Sequence, residues 1–573
     1  MDSFSVLIGG RAGDGITEAG TMIAHLLNEC GYRLYRHVDS PSLIRGGHNW
    51  VMVRAHRQRI GAMRDHVNVI IALTEETLDR HEWRLKQRPI TVYDNQSIAD
   101  ARLPSMAHPF RTGIPVKTIL EQEQAPAVMR NTAILGAFCK AISIPWEVLE
   151  DVIRRYQPKQ TELNLRVARL GYDLATEKLL VDLPAAGPLP VMTGLEAVGL
   201  GLIRGGLEAY YGYPMTPASG LLHFLAKQAP RFALKVVQPE GETAAMMMAL
   251  GHAYAGERAA VGTSGGGFCL MTEGLSQAGQ AELPIVVVLG QRTGPSTGLP
   301  TYTAQADLEF ALSAGHGEFP RVVLAPADVE QAYAWSTLAL DLAWAYQLPV
   351  IVLTDRTLND DSQSFVAAEV PALPRVAAAE WRPPARPGRA GRKADDAAEP
   401  YLRYRLTGSG VSPMAYPGTP GAVVKVNSYT HDEAGLTTED PALTVAMQDK
   451  WERKGWGATA ALERLPLVNV YGDPRAADTV VTWGSPTGAV REVAELEGYR
   501  VVQPVVLHPF PAVQFAHALH GSGRIAVLEM NSTGQLAGLM ERHGFPSDHS
   551  ILRYDGRPWG VGELRREVEK VFA

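Results

Sequence analysis

Short apolar runs alternate along this chain with longer segments whose apolar residues recur at helical spacing. Glycine or proline marks most junctions. An apolar run over 4–8 predicts a strand, followed by the loop Gly9-Gly10-Arg11-Ala12-Gly13-Asp14-Gly15 and a helix over 17–30. Further strands are expected over 33–38, 50–55, 67–73 and 90–93, and a helix over 131–142. The pattern restarts with a helix over 195–203 and a strand over 207–211. Thr216 then reads as an N-cap with Pro217 as the first helical residue, and Leu221, Leu222, Leu225 and Ala226 supply that helix with an apolar face. Residues 233–237 read as a strand. The segment 242–255 is helical and apolar on nearly every side, so it is expected to be buried. A strand over 259–263 runs into Ser264-Gly265-Gly266-Gly267, then a helix, then a fully apolar strand over 285–289. Strands over 321–324 and 350–353 follow. The last third repeats the alternation, with strands over 479–482, 499–502 and 524–529. This punctuation predicts an α/β fold of three doubly wound domains, with parallel sheets covered by helices on both faces.

Two stretches break the pattern. Proline-rich LPAAGPLPV ends a linker over 176–191, and a low-complexity run of Ala, Pro, Arg and Asp marks another over 367–400. The domains are therefore expected over 1–175, 192–366 and 401–573, in line with the three or four that 573 residues suggest. A net charge of −7 argues against general nucleic-acid binding. The apolar runs are too short and too interrupted to span a bilayer, and the N-terminus reads as a strand rather than a signal peptide. Cys30, Cys139 and Cys269 stand far apart with no CxxC, so the chain offers no metal or cluster site of its own, and a reducing cytoplasmic setting fits.

Chemistry gathers where ligands bind in such sheets, beyond the carboxyl ends of the strands. Glu240, the glycine run and Arg292 all fall there. A lone acid at a helix start ordinarily complements the helix dipole, but Glu242 is available for that role, and the triple glycine allows a ligand close to the backbone. These features favour a functional Glu240 facing a cleft. The loop over 293–301 is rich in hydroxyls and glycine, as functional loops on α/β scaffolds often are. In the first domain, the loop over 9–15 has the shape of an anion cradle, although its spacing is neither GxGxxG nor a P-loop. The loop over 39–48 carries Arg45. Were the two loops neighbours, Arg11 and Arg45 would make a positive pocket for a phosphorylated ligand.

Three stretches together, YPMTPAS (213–219), TSGGGFCLMTEGL with the preceding Glu240 block, and GQRTGPSTGLPT (290–301), resemble the α subunit of 2-oxoacid:ferredoxin oxidoreductases. GGRAGDGI and IRGGH resemble that family's γ domain, here fused ahead of α. HDEAG (431–435), LEMNSTGQLAGLM (528–540) and RYDGRPW (553–559) resemble the α-subunit tail. The resemblance implies a γ-like domain, a thiamine diphosphate pyrimidine-binding domain and a transketolase C-terminal-like domain. It further implies thiamine diphosphate as cofactor, with Glu240 as the carboxyl group at its pyrimidine. Pro214, Thr216, Ser264, Gly265 and Gly266 line the cofactor; Thr216, Arg292 and Thr301 meet the substrate; and Gly10, Arg11, Gly13 and Arg45 contact coenzyme A. Ala218-Ser219 replaces the Ser-Ser of many relatives, and Arg11-Ala12 replaces their Gly-Gln.

The diphosphate–magnesium motif of thiamine enzymes is GDG, a spacer, then Asn. Gly13-Asp14-Gly15 opens the first domain's helix, and Asn49 comes too late for the pattern. The resemblance therefore assigns Mg²⁺ and an iron–sulfur (4Fe–4S) cluster to a β subunit, with a pair of αβ heterodimers, ferredoxin as acceptor, and no membrane or nucleic acid. The implied reaction is oxidative decarboxylation of 2-oxoglutarate with coenzyme A to succinyl-CoA. Alternatives are a relative acting on aryl pyruvates or branched-chain oxoacids, and a non-catalytic CoA- or nucleotide-binding scaffold.

Overall fold

The computed structural model describes residues 3–41, 47–103, 110–183, 186–383 and 400–573. Three sheets carry the α/β architecture, flanked by helices. The first has eight strands in the order Arg111–Ile114, Ile90–Asp94, Val69–Ala72, Ser3–Arg11, His48–His56, Arg33–Asp39, Ser362–Ser364 and Val191–Thr193. The first four run parallel, and their interior reads as unbroken apolar sequence such as Val69-Ile70-Ile71-Ala72 because both faces are covered. From Ser3–Arg11 onward the pairing turns antiparallel, so this sheet is mixed.

Its last two strands come from either side of the middle region. Buried Asp361 ties them down: it accepts from Tyr35 Oη at 2.5 Å and meets His37 Nδ1 at 2.9 Å. Two covering helices, Arg130–Ala141 and Thr161–Leu174, cross at glycines. A Cβ at Gly136 would lie 2.0 Å from Ala168 O, and one at Gly171 would lie 2.0 Å from Ala133 O. Gly171→Ala is therefore expected to push the helices apart and destabilise the fold by ~1–3 kcal/mol, read as a fall in thermal midpoint. An unchanged midpoint would show that the crossing relaxes freely.

The second sheet has seven strands, ordered Val506–His508, Val322–Leu324, Pro349–Asp355, Ile285–Gln291, Ala259–Ser264, Ala209–Tyr211 and Lys235–Val237. All pairs are parallel except the first, which the C-terminal region contributes. The third sheet follows the order Val468–Gly472, Arg500–Pro504, Asp478–Thr482, Arg524–Glu529 and His549–Leu552. Val468–Gly472 is its antiparallel edge.

A buried ionic cluster joins the middle region to the C-terminal region. Glu282 accepts from Lys454 Nζ at 2.7 Å and from Lys450 on its other oxygen, and both lysines come from the helix Pro441–Leu462. Arg403 donates to Glu282 O at 2.8 Å and to Gln347 Oε1 at 3.2 Å. All four charged side chains are inaccessible to solvent. Burial raises the Glu282 carboxyl, but the three cations outweigh it and hold the group below the usual carboxylate range. For the lysines burial wins over their single counter-charge, and Lys454 falls to about 8.

Candidate active site

The strands Ala259–Ser264 and Ile285–Gln291 end side by side, with Ser264 paired to Gly290. Gly265–Gln280 is helical from its first glycine, so Gly265-Gly266-Gly267 form the helix's first turn rather than a preceding loop. Their lack of side chains has separate reasons. A Cβ on Gly267 would strike Thr263 Oγ1 and Glu242, and one on Gly265 would strike Asp307. One on Gly266 would find only Ser296 O at 3.9 Å, so the turn is open on the side of Gly266.

Arg292 follows the second strand and donates from Nη1 to Thr216 O at 2.7 Å. Thr216 sits in a turn closed by Ala218 N–H on Met215 O at 2.8 Å. The helix it was expected to cap begins later, at Ser219, with no side-chain cap, so the hydroxyl is not committed to capping. Gly290 lets this turn pack on the strand end, since a Cβ there would lie 3.2 Å from Pro217 Cγ and 2.8 Å from Asn359 Nδ2. Arg292 Nε, Ser264 Oγ, Thr301 Oγ1, Asn359 Oδ1 and Glu242 Oε1 are all buried without a hydrogen-bond partner. Such atoms occur elsewhere in the chain too, but at this sheet end they gather where a ligand's polar groups can meet them.

Two expectations need correction. Glu240 does not face an interior cleft: it is exposed at the edge of the same strand ends, beside open Gly241. Glu242 does stand in the first turn of its helix, as expected of the acid that complements the dipole, and it is buried at 4% exposure. The helix Glu242–Ala255 is not covered on all sides either. Thr243, Met247, Met248 and Gly251 are exposed, and Leu270 of the next helix is exposed beside them. Apolar composition identifies a face that avoids water, not what covers it.

Sequence reading missed Asp307 altogether. Burial lifts its carboxyl to about 6 against the pull of Arg292, and burial likewise lowers Arg292 against the pull of Asp307.

In the first domain the two expected loops are neighbours: Ala12 N–H donates to Gly47 O at 3.1 Å. Arg11 is exposed, but its N–H is taken by Asp14 Oδ2 at 2.9 Å. Asp14 in turn lies 3.7 Å from Arg130. The loop thus carries its own anion at the mouth of a cavity of about 800 Å³ lined by Gly13, Arg130 and Asn131. Gly10 is packed beneath, against Ile16 and Leu73. Arg45 lies outside the described residues. A second cavity, about 370 Å³, joins Gly47, His48 and Trp50 to Arg80, Tyr302 and Arg557. Arg557 stacks 3.7 Å above the Tyr302 ring.

Comparison with known proteins bears on both regions. The family model described as pyruvate flavodoxin/ferredoxin oxidoreductase, thiamine diphosphate-binding, matches residues 200–449. The model described as pyruvate ferredoxin/flavodoxin oxidoreductase matches residues 5–174. Over its whole length the chain is 30% identical to subunit alpha of 2-oxoacid:ferredoxin oxidoreductase 2 from Aeropyrum pernix, covering 98% of that protein. The chain belongs to the 2-oxoacid:ferredoxin oxidoreductases. Within this family it is similar to the 2-oxoglutarate oxidoreductase subunit KorA of Mycobacterium tuberculosis, with 30% identity over 73% of this chain and 64% of that one. It also matches the structure of 2-oxoglutarate:ferredoxin oxidoreductase from Magnetococcus marinus with 2-oxoglutarate, coenzyme A and succinyl-CoA bound. That match has 29% identity and a TM-score of 0.89 and covers 100% of both chains. The chain is therefore an oxidoreductase subunit of the α type with a γ-like domain fused in front, and it carries a thiamine diphosphate-binding domain. Among the described residues no helix is long and apolar enough to cross a membrane.

Proposed function

We propose that this chain is the αγ subunit of a 2-oxoglutarate:ferredoxin oxidoreductase, which converts 2-oxoglutarate and coenzyme A to succinyl-CoA, CO₂ and reduced ferredoxin. The observation that carries the reading is the set of unpartnered polar atoms around Arg292, Ser264 and Thr301 at the sheet end, in a chain whose full length resembles an enzyme with 2-oxoglutarate and coenzyme A bound.

Thiamine diphosphate, when bound, supplies the electron sink that a 2-oxoacid needs to lose CO₂. The remaining roles fall to this chain's residues. Glu240 exchanges a proton with the cofactor's pyrimidine nitrogen. Pro214 and Thr216 form the turn beside it, and Ser264, Gly265 and Gly266 offer a hydroxyl and free N–H groups at a helix N-terminus. Arg292 binds the substrate carboxylate through its fixed planar donors, with Thr216 alongside and Thr301 toward the substrate's side chain. Arg11, Gly13 and Arg45 contact the phosphates of coenzyme A, while Gly10, packed beneath the first loop, shapes it. The cavity between Gly47 and Arg557 supports an approach from the γ-like domain, because it combines two arginines with the flat faces of Trp50 and Tyr302.

A β subunit completes the site and carries Mg²⁺ and the iron–sulfur cluster, in a pair of αβ heterodimers. The uncovered face of Met247, Met248 and Leu270, adjoining Glu240 and Gly266, suits that docking. The test is co-purification with the partner, then a screen of 2-oxoacids with coenzyme A and a low-potential acceptor. The expected result is highest kcat/KM on 2-oxoglutarate, with cofactor bound only by the complex. Stoichiometric cofactor binding by this chain alone would overturn the shared site. A preference for aryl or branched oxoacids would overturn the substrate.

A further inference from the structure

The cavity of about 370 Å³ that reaches from Gly47 to Arg557 is walled on one side by Tyr302, the residue after Thr301. Two backbone contacts tie that wall to the active site. Thr293, which follows Arg292, donates its N–H to Tyr302 O at 3.3 Å, and Thr303 N–H donates to Gly556 O at 3.1 Å. Gly556 takes a φ of 81°, and a Cβ there would lie 2.9 Å from Tyr302 Cβ, so only glycine lets the two segments meet. The next residue, Arg557, is thereby laid over the Tyr302 ring, its guanidinium carbon 3.7 Å from the ring centre. Stacking of this kind holds the guanidinium flat without using its N–H donors.

Three charged side chains line the cavity: Asp39, Arg80 and Arg557. Arg80 is committed to Glu76, to which its Nε donates at 2.8 Å. Asp39 faces Arg557 at Nε only, at 3.9 Å, too far for a hydrogen bond. Among the described residues the Arg557 guanidinium has no hydrogen-bond acceptor, so both Nη groups remain for a ligand. Two imidazoles complete the polar lining. His48 and His81 are buried with their Nε2 atoms 3.4 Å apart, and burial lowers both, His81 to about 3, so they add no charge. His48 Nδ1 is buried without a partner. When His48 Nε2 accepts from His81, this Nδ1 carries a proton to donate.

The functional reading gives Arg292 to the 2-oxo carboxylate and directs the rest of the substrate toward Thr301. We propose that this cavity is the substrate's side-chain pocket, in which Arg557, held flat on Tyr302, binds the distal carboxylate of a dicarboxylic 2-oxoacid. This rests on the functional reading above and adds the residue that sets the substrate class. A monocarboxylic 2-oxoacid of the same length would exclude water from the guanidinium and leave its Nη donors unpaired, which is how the pocket rejects it.

The test uses the complex with β subunit and cofactor. Wild type and Arg557→Gln are compared on 2-oxoglutarate and on 2-oxovalerate, which has the same chain length but ends in a methyl group. The variant is expected to lose about 30-fold or more in kcat/KM on 2-oxoglutarate and to stay within about threefold of wild type on 2-oxovalerate. Arg557→Lys keeps the charge but not the planar fork, and should show an intermediate loss on 2-oxoglutarate alone. Should Arg557→Gln fail to assemble, the lysine variant carries the same comparison. Equal losses on both oxoacids, no loss on either, or a rise in KM for coenzyme A alone would each overturn this inference and leave the functional reading intact. A wild-type complex inactive on 2-oxoglutarate would overturn the functional reading, and this inference with it.

Discussion

Glu240→Gln is expected to lower oxoacid-dependent reduction of a low-potential acceptor by about 10²–10⁴-fold in the reconstituted complex, the range for loss of a positioned acid–base group. The substitution keeps size and most hydrogen bonding but removes proton exchange. Were Glu240 merely an acid at a helix start, the loss would be at most ~1 kcal/mol of stability, with no specific effect on turnover. Cofactor occupancy is measured alongside, and near-normal turnover at full occupancy would remove Glu240 from the chemistry. The structure shapes the choice of control. Glu242 shares the helix end but is buried against Thr263 and Gly267, so replacing it disturbs the floor of the site. Glu257, at the far end of the same helix and paired with Lys235 at 3.0 Å, is the better control, and its Gln variant should stay active.

The second large effect concerns stability. Glu282→Ala leaves Lys450, Lys454 and Arg403 buried without their one counter-charge, and breaking a buried pair in this way costs about 3–5 kcal/mol. The sign of its pH dependence follows from the lysines. Their folded pKa values lie below the unfolded value, Lys454 at about 8. Such a group penalises the folded state while charged, and the penalty lifts as pH rises from the folded toward the unfolded pKa. The deficit of Glu282→Ala should therefore be largest near pH 7 and smaller by pH 10, measured as thermal midpoints of variant and wild type at each pH. A deficit below ~1 kcal/mol, or one that grows with pH, would mean that water reaches the cluster.

Much of the architecture was legible because its signals are local. The unbroken apolar run from Ile285 is a strand buried on both faces. The spacing across residues 242–255 is helical, and glycine or proline marks the ends of many elements. Whether the two N-terminal loops adjoin was left open by the sequence; they do, because one ends the strand Ser3–Arg11 and the other leads into its antiparallel partner His48–His56. The family resemblance rested on contiguous motifs, which chain order preserves.

The features that were not legible depend on chain segments far apart. Nothing near Ser362 or Val191 says that these short runs extend the first sheet beside Arg33–Asp39. That pairing brings Asp361 to His37 across 324 positions of sequence. Thr216 looked like a helix cap because cap preference is a local statistic, and only packing against Gly290 and Arg292 shows the turn it occupies instead. Glu240 and Glu242 stand two residues apart with the same chemistry. The helix start turns one outward and one beneath the glycine turn, a choice set by helical phase and by the neighbouring strand. Asp307 joined the site through Gln291, a contact with no periodic signature. By itself the sequence determined the α/β class, the strand and helix periods and the motifs at the strand ends, because these follow from backbone geometry repeated every two or 3.6 residues. Only the tertiary structure decided which strands pair, which acids are buried and which apolar faces remain uncovered. Those outcomes depend on the packing of distant segments, for which no local pattern carries the information.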